Sequence, residues 1–325
     1  MRFLSLSRRV ILASLIAAPA LARPPARPPS RRISLTVAID AHGRVTPQWI
    51  GLIRGRIDAN ELAGVQLSPH ALSAEESQWL AAIRTAAPQW IKGVARLDAP
   101  FRQARPPATI QAVVGDQGGD DAFAAAPDTI AFDLSALANA YDAGDAASRV
   151  ALIGRLLSRE YTRLLTDPYL AGLGWAPDHA ARDPLLAVLR ALYAGGLSTL
   201  RCLEGDALWT RPDGTPTDLA RKTLAQLQPI MVERLKAIAA APSPQAAAQP
   251  LHDLDRGSLA RQWGALPIGL WLAADTGFAP ERIAAWVEAK PDGILDLAIG
   301  QADRKYRRAL ADIKTQAVHA IAAEG

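Results

Sequence analysis

The sequence predicts an α+β fold, a small N-terminal β-sheet followed by a mainly helical bundle. Two observations set this expectation. Strand-like alternation is confined to residues 33–40 and 108–134, whereas from Asp145 onward apolar residues recur at helical spacings of three and four. A third sets the scale: 50% of the 325 residues are hydrophobic and 21% are charged, enough for a substantial core.

The elements follow in chain order. Residues 1–22 have a basic start, an apolar run from Val10 to Ala18 and a small-x-small site at Ala20-Leu21-Ala22, the pattern of a cleaved signal peptide. The run is too short to span a bilayer, so no integral membrane segment is expected after cleavage. Ser7-Arg8-Arg9-Val10 also resembles a twin-arginine export signal, and the chain is expected to be exported to the periplasm. Residues 23–32, RPPARPPSRR, read as an extended Pro/Arg linker. Residues 33–325 read as a single domain.

Within that domain, ISLTVAID (33–40) alternates like a strand and turns at His42-Gly43. Short helices are predicted to open at Pro47 and Pro88, proline being well suited to a first helical turn. Ser73-Ala-Glu-Glu76 is a capping box opening a helix to about Ala86. ATIQAVVG (108–115) and DTIAFDL (128–134) read as two strands joined by DQGGDDAFAAAP. Asp116, Asp120 and Asp121 in that connection lack the ordered spacing of a calcium loop, so a solvated turn is expected.

Val150, Ile153, Leu156, Leu157, Tyr161, Leu164 and Leu165 mark an amphipathic helix. Further helices are expected over 183–203, 217–240, about 251–275, 280–289 and 292–323, with a loop at 241–250 and a break at Lys290-Pro291-Asp292-Gly293.

Composition removes several functional classes. Seven of the 36 basic residues and none of the 32 acidic ones lie in the first 32 positions, so the rest of the chain carries 29 basic against 32 acidic groups. Without a basic excess, nucleic acid is not an expected partner. Cys202 is the sole cysteine, so no internal disulfide forms; its neighbours Leu200, Leu203 and Leu208 mark a small buried hydrophobe rather than a catalytic thiol. The sequence contains no Gly-x-Ser-x-Gly elbow and no phosphate-binding glycine loop, and it implies no cofactor.

One stretch carries chemistry. SREYTRLL (158–165) would become HEYTH if Arg159 and Arg163 were histidines. A zincin helix needs two histidines one turn apart to aim both imidazoles at one metal, with a glutamate between them to deprotonate the bound water. Two strands precede this helix, LRALYAGGLSTL (189–200) follows on a second helix, and RQWGALPIGLWLA (261–273) on a later one. Over roughly residues 108–275 this order resembles the bacterial predicted zinc-dependent proteases of gluzincin type, exported proteins with HEYTH followed by EGLA.

The resemblance implies a zincin-like fold, with Glu160 at the general-base position. Arg159 and Arg163 stand where the histidine ligands would be, and Gly195 where the third-ligand glutamate would be. Arginine keeps its proton and offers a metal no lone pair. The resemblance therefore implies a pseudopeptidase, in which Arg159 or Arg163 takes over the metal's charge and holds Glu160. Its remaining role would be peptide or protein binding in a vestigial cleft.

Two alternatives stand beside this reading. An active metallopeptidase could use altered ligands, Glu160 with His179 and Glu204. Or the protein could be a periplasmic structural or interaction protein, with Arg159, Glu160 and Arg163 merely the solvated face of an amphipathic helix, joined by a weak surface pair.

Overall fold

A computed structural model describes residues 31–54, 56–57, 59–67, 71–102, 104–142, 144–175, 183–251, 254–255 and 259–324. The expected signal peptide (1–22) and most of the expected linker, residues 1–30 together, lie outside the described residues, as does His179. The linker's expected end is corrected: Arg32 already belongs to the first strand.

The fold is mixed α+β, a four-stranded sheet followed by helices. β1 (Arg32–Val37) leads through α1 (Pro47–Ile53), α2 (Ala59–Leu67), α3 (Ala74–Ala86) and α4 (Trp90–Leu97) to β2 (Thr109–Gly115), β3 (Ala122–Ala126) and β4 (Thr129–Asp133). The sheet order is β1-β2-β4-β3; β1, β2 and β4 run parallel, and β3 is an antiparallel edge strand on β4. The strands alternate their side chains between two faces. Val113, Phe123 and Ala131 pack with Trp49, Ile50, Ile53 and Val65 from α1 and α2. Ile110, Val114, Ile130 and Phe132 join the main core with the remaining helices.

α5 (Leu134–Ala140) follows β4 directly, and α6 (Ala146–Gly172) then crosses beneath β3 and β4. The helical part continues through α7 (Pro184–Leu203), α8 (Asp218–Ala239), α9 (Pro244–Leu251), α10 (Ala265–Thr276), α11 (Pro280–Glu288), α12 (Ile294–Gln301) and α13 (Arg304–Glu324). Polar caps set the starts as the sequence predicts: the Ser73–Glu76 box opens α3, and Asp145, Asp183 and Thr217 cap α6, α7 and α8. Among the described residues α7 alone is long and apolar enough to cross a membrane, and it is largely buried within the fold.

Several expectations are corrected. Residues 122–126, expected in a turn, form β3; alanines carry little strand propensity, and pairing with β4 overrides it. Residues 244–250, expected as loop, fall within α9. Pro88 falls in a 3-10 turn joining α3 to α4 rather than opening a helix. The last predicted helix is broken at Ala302-Asp303 into α12 and α13.

Candidate functional site

α6 places Arg159 and Glu160 against edge strand β3, and neither faces solvent. Arg159 is 2% exposed, Glu160 0% and Asp121 3%. The reading of these side chains as a solvated helical face is thereby corrected: α6 lies under the sheet, so the turn carrying them is covered. The expected solvated turn at 116–121 is corrected too, since Asp116 and Asp121 are buried.

That connection is inward because Asp133, the last residue of β4 and the cap of α5, gathers its backbone. The Asp133 carboxylate accepts from the amides of Gln117 (3.1 Å), Gly118, Gly119 (2.8 Å) and Ala136 (3.2 Å), and from Ser135 Oγ at 2.9 Å. Gln117 adopts φ 59° and Gly119 φ 89°, left-handed conformations that fold the segment back over the strand ends. Asp121 is thus delivered to the start of β3, facing α6.

The guanidinium of Arg159 lies between two carboxylates. Its Nε donates to Glu160 Oε1 at 2.5 Å, and one terminal nitrogen donates to Asp121 Oδ1 at 2.6 Å and to the Ala122 carbonyl at 2.9 Å. Asp121 also accepts from its neighbour's amide, Ala122, and from the Tyr141 hydroxyl. The second Glu160 oxygen accepts the Ala124 amide at 2.9 Å, with Arg163 Nε 3.6 Å away. Both oxygens of Glu160 are therefore engaged.

The electrostatics follow from this packing. Burial alone would depress the Arg159 guanidinium, but Asp121 and Glu160 outweigh it and hold the group protonated well above its usual range. Arg163 shows the same balance: burial opposes the charge, while Glu160 and Asp255 favour it. Burial, then the Asp121 carboxylate, push the Tyr141 hydroxyl well up, so Tyr141 stays a donor.

The centre also closes the edge of the sheet. The Ala122 carbonyl and Ala124 amide point away from β4, and an added strand would reach both. Arg159 supplies the donor for one and Glu160 the acceptor for the other. Tyr161, the next residue of α6, points elsewhere: its hydroxyl donates to Asp98 Oδ1 at 2.6 Å and accepts from Arg31 at 2.8 Å.

Arg163 reaches towards α7. It bonds Asp255 through the backbone carbonyl at 3.0 Å and the carboxylate at 3.2 Å. A Cβ on Gly195 would lie 3.1 Å from Asp255 Cβ and 3.0 Å from Ala265 Cβ. Gly195 therefore adjoins this centre through Asp255, which fills the space a side chain at 195 would enter. The structure thus brings together Arg159, Glu160, Arg163 and Gly195, with Asp121, Tyr141 and Asp255 added to the set the sequence singled out.

Glu204 is placed elsewhere. It caps α7, is 36% exposed at its side chain and pairs with Arg201 at 3.4 Å. Nothing joins it to Glu160. Zinc does not fit the residues present: Arg159 and Arg163 are fixed cations without a lone pair for a metal, and Gly195 offers no donor. Among the described residues no three His, Cys, Asp or Glu side chains are grouped to hold a metal ion.

A cavity of about 680 Å³ opens beside Asp121, lined by Gln117, Ser135 and Asn139 on one side and by Ile57, Glu61 and Val65 on the other. Cys202 lies in the core on α7, where burial pushes its thiol up to about 12. That agrees with the expected buried hydrophobe.

Compared with known proteins, the chain matches no family model, no curated protein and no solved structure.

Proposed function

We propose that the protein is a non-catalytic counterpart of gluzincin-type zinc peptidases, exported by its leader, with a peptide- or protein-binding role. One observation carries the reading: the Arg159 guanidinium sits between the buried carboxylates of Asp121 and Glu160. A fixed positive charge thereby balances acids at the position where the resemblance puts a divalent cation.

The same contacts argue against peptide hydrolysis. A general base must reach a water with a free lone pair, yet Glu160 is 0% exposed and spends its oxygens on Arg159 and Ala124. They also redirect any binding. Addition of a peptide strand to β3 is opposed at the Ala122 carbonyl and the Ala124 amide, which are taken. The cavity beside Asp121 adjoins the centre and is the place proposed for a bound segment.

The test is elemental analysis of the purified mature protein together with hydrolysis of an unstructured protein such as casein. The expected result is no stoichiometric zinc and no chelator-sensitive cleavage. Stoichiometric zinc, removed by a chelator together with cleavage, overturns the proposal. A panel of unstructured peptides tests the binding role; variants of Asn139 that leave binding unchanged would remove the cavity from it.

A further inference from the structure

A second groove lies away from the Arg159 centre, between α4, α6 and the C-terminal end of α7. Its volume is about 480 Å³, and Trp90, Arg96, Arg155, Ser158, Arg201 and Glu204 line it. Three arginines thus face one carboxylate. Arg155 is answered from outside the groove by Asp206 at 3.3 Å, and its Nε is buried without a hydrogen bond. Arg96 is exposed and has no ion pair among the described residues.

Arg201 is the telling group. It is 6% exposed, and a guanidinium carries five donors, yet its one ion pair is a single 3.4 Å contact to the half-exposed Glu204. A buried charge normally has close partners on most of its donors, because desolvation is otherwise uncompensated. Burial in fact depresses the Arg201 guanidinium, with Glu204 opposing and Arg96 reinforcing the shift. The indole nitrogen of Trp90, 3% exposed, is likewise a buried donor without an acceptor. Surplus cations therefore line one concave surface, next to two buried donors that lack an acceptor.

We infer that this groove binds an oxyanion group, a carboxylate or phosphate borne by a small ligand, held by Arg201 and Arg96 with Arg155 at its side. Guanidinium forks can donate two parallel hydrogen bonds to a pair of oxygens on either group. The inference does not rest on the zincin-like reading, since the groove shares no residue with the Arg159 centre.

The test titrates the purified protein with inorganic phosphate and, in parallel, succinate, against sodium chloride at matched ionic strength. Thermal melting reports stabilisation. The ¹⁵N-labelled indole resonance of Trp90, assigned with Trp90→Phe, reports the location. Saturable stabilisation by either anion, with a shift of that resonance, is the expected result, and whichever anion acts names the source. Arg96→Ala should weaken it about tenfold or more, the loss of one charge-assisted hydrogen bond. Arg96 is exposed, so this variant keeps the test valid where Arg201→Gln fails to fold. No response, an equal response to chloride, or full binding by Arg96→Ala overturns the inference.

Discussion

The sharpest consequence of the buried centre concerns Arg159→Met, which keeps an unbranched apolar stem and removes the guanidinium with its charge. Four hydrogen bonds disappear, to Glu160 Oε1, to both oxygens of Asp121 and to the Ala122 carbonyl. Two carboxylates at 0% and 3% exposure lose their main cation. Breaking a buried pair by removing one partner costs about 3–5 kcal/mol. Here each acid keeps other contacts: Asp121 retains Tyr141 and the Ala122 amide, and Glu160 retains the Ala124 amide and distant Arg163. The expected loss is therefore at the lower end, about 3 kcal/mol at neutral pH.

Its pH dependence has a fixed sign. Stripped of the cation, two carboxylates stay buried with their charge uncompensated, a penalty that protonation relieves, so the variant's deficit shrinks as pH falls. Urea denaturation of both proteins at pH 7.5 and near pH 5 measures this, and the deficit should shrink on acidification. A deficit under about 1 kcal/mol at pH 7.5, the size of an exposed ion pair, would refute the reasoning. A deficit that did not change with pH would refute it equally.

Three further outcomes follow. Arg163→Ala should cost no more than about 1–2 kcal/mol in the same urea assay, because its side chain is 19% exposed and its Glu160 contact is 3.6 Å long. Gly196→Ala should lower stability by about 1–3 kcal/mol, because its Cβ would meet Ile268 Cγ2 at 2.2 Å, whereas Gly195→Ala, with nearest contacts of 3.0 and 3.1 Å, should cost less; melting of the two variants compares them. The Cys202 thiol, raised to about 12 by burial, should resist an aromatic disulfide reagent at pH 8 in the folded protein and react once in urea.

The helices were readable where local chemistry decides them. Ser73, Asp145, Asp183 and Thr217 are caps that act within one turn, and they set the starts of α3, α6, α7 and α8. β3 was not readable, because AFAAA has the composition of a loop or helix and becomes a strand only through β4. Glu160 and Arg159 could be singled out from SREYTRLL, but their burial could not, since helical periodicity does not say that the sheet covers that turn. Asp121 and Asp255 come from other segments, and no local spacing ties them to α6. The trace of Asp121 in the sequence was three aspartates in a glycine-rich connection, a pattern shared by exposed turns.

The capture of Ala122 and Ala124 by two consecutive helical side chains has a further meaning. An unpaired strand edge invites other chains to stack upon it, and proteins ordinarily blunt it with proline, a bulge or a lone lysine. Here a register shift after Ala124 is joined by an ion pair that imitates a neighbouring peptide group, offering one acceptor and one donor. Solubility and folding are thereby tied to the same two side chains: a chain that lost either would be less stable and would also expose the sticky margin of its sheet. Neither residue is free to drift alone, whatever the protein binds.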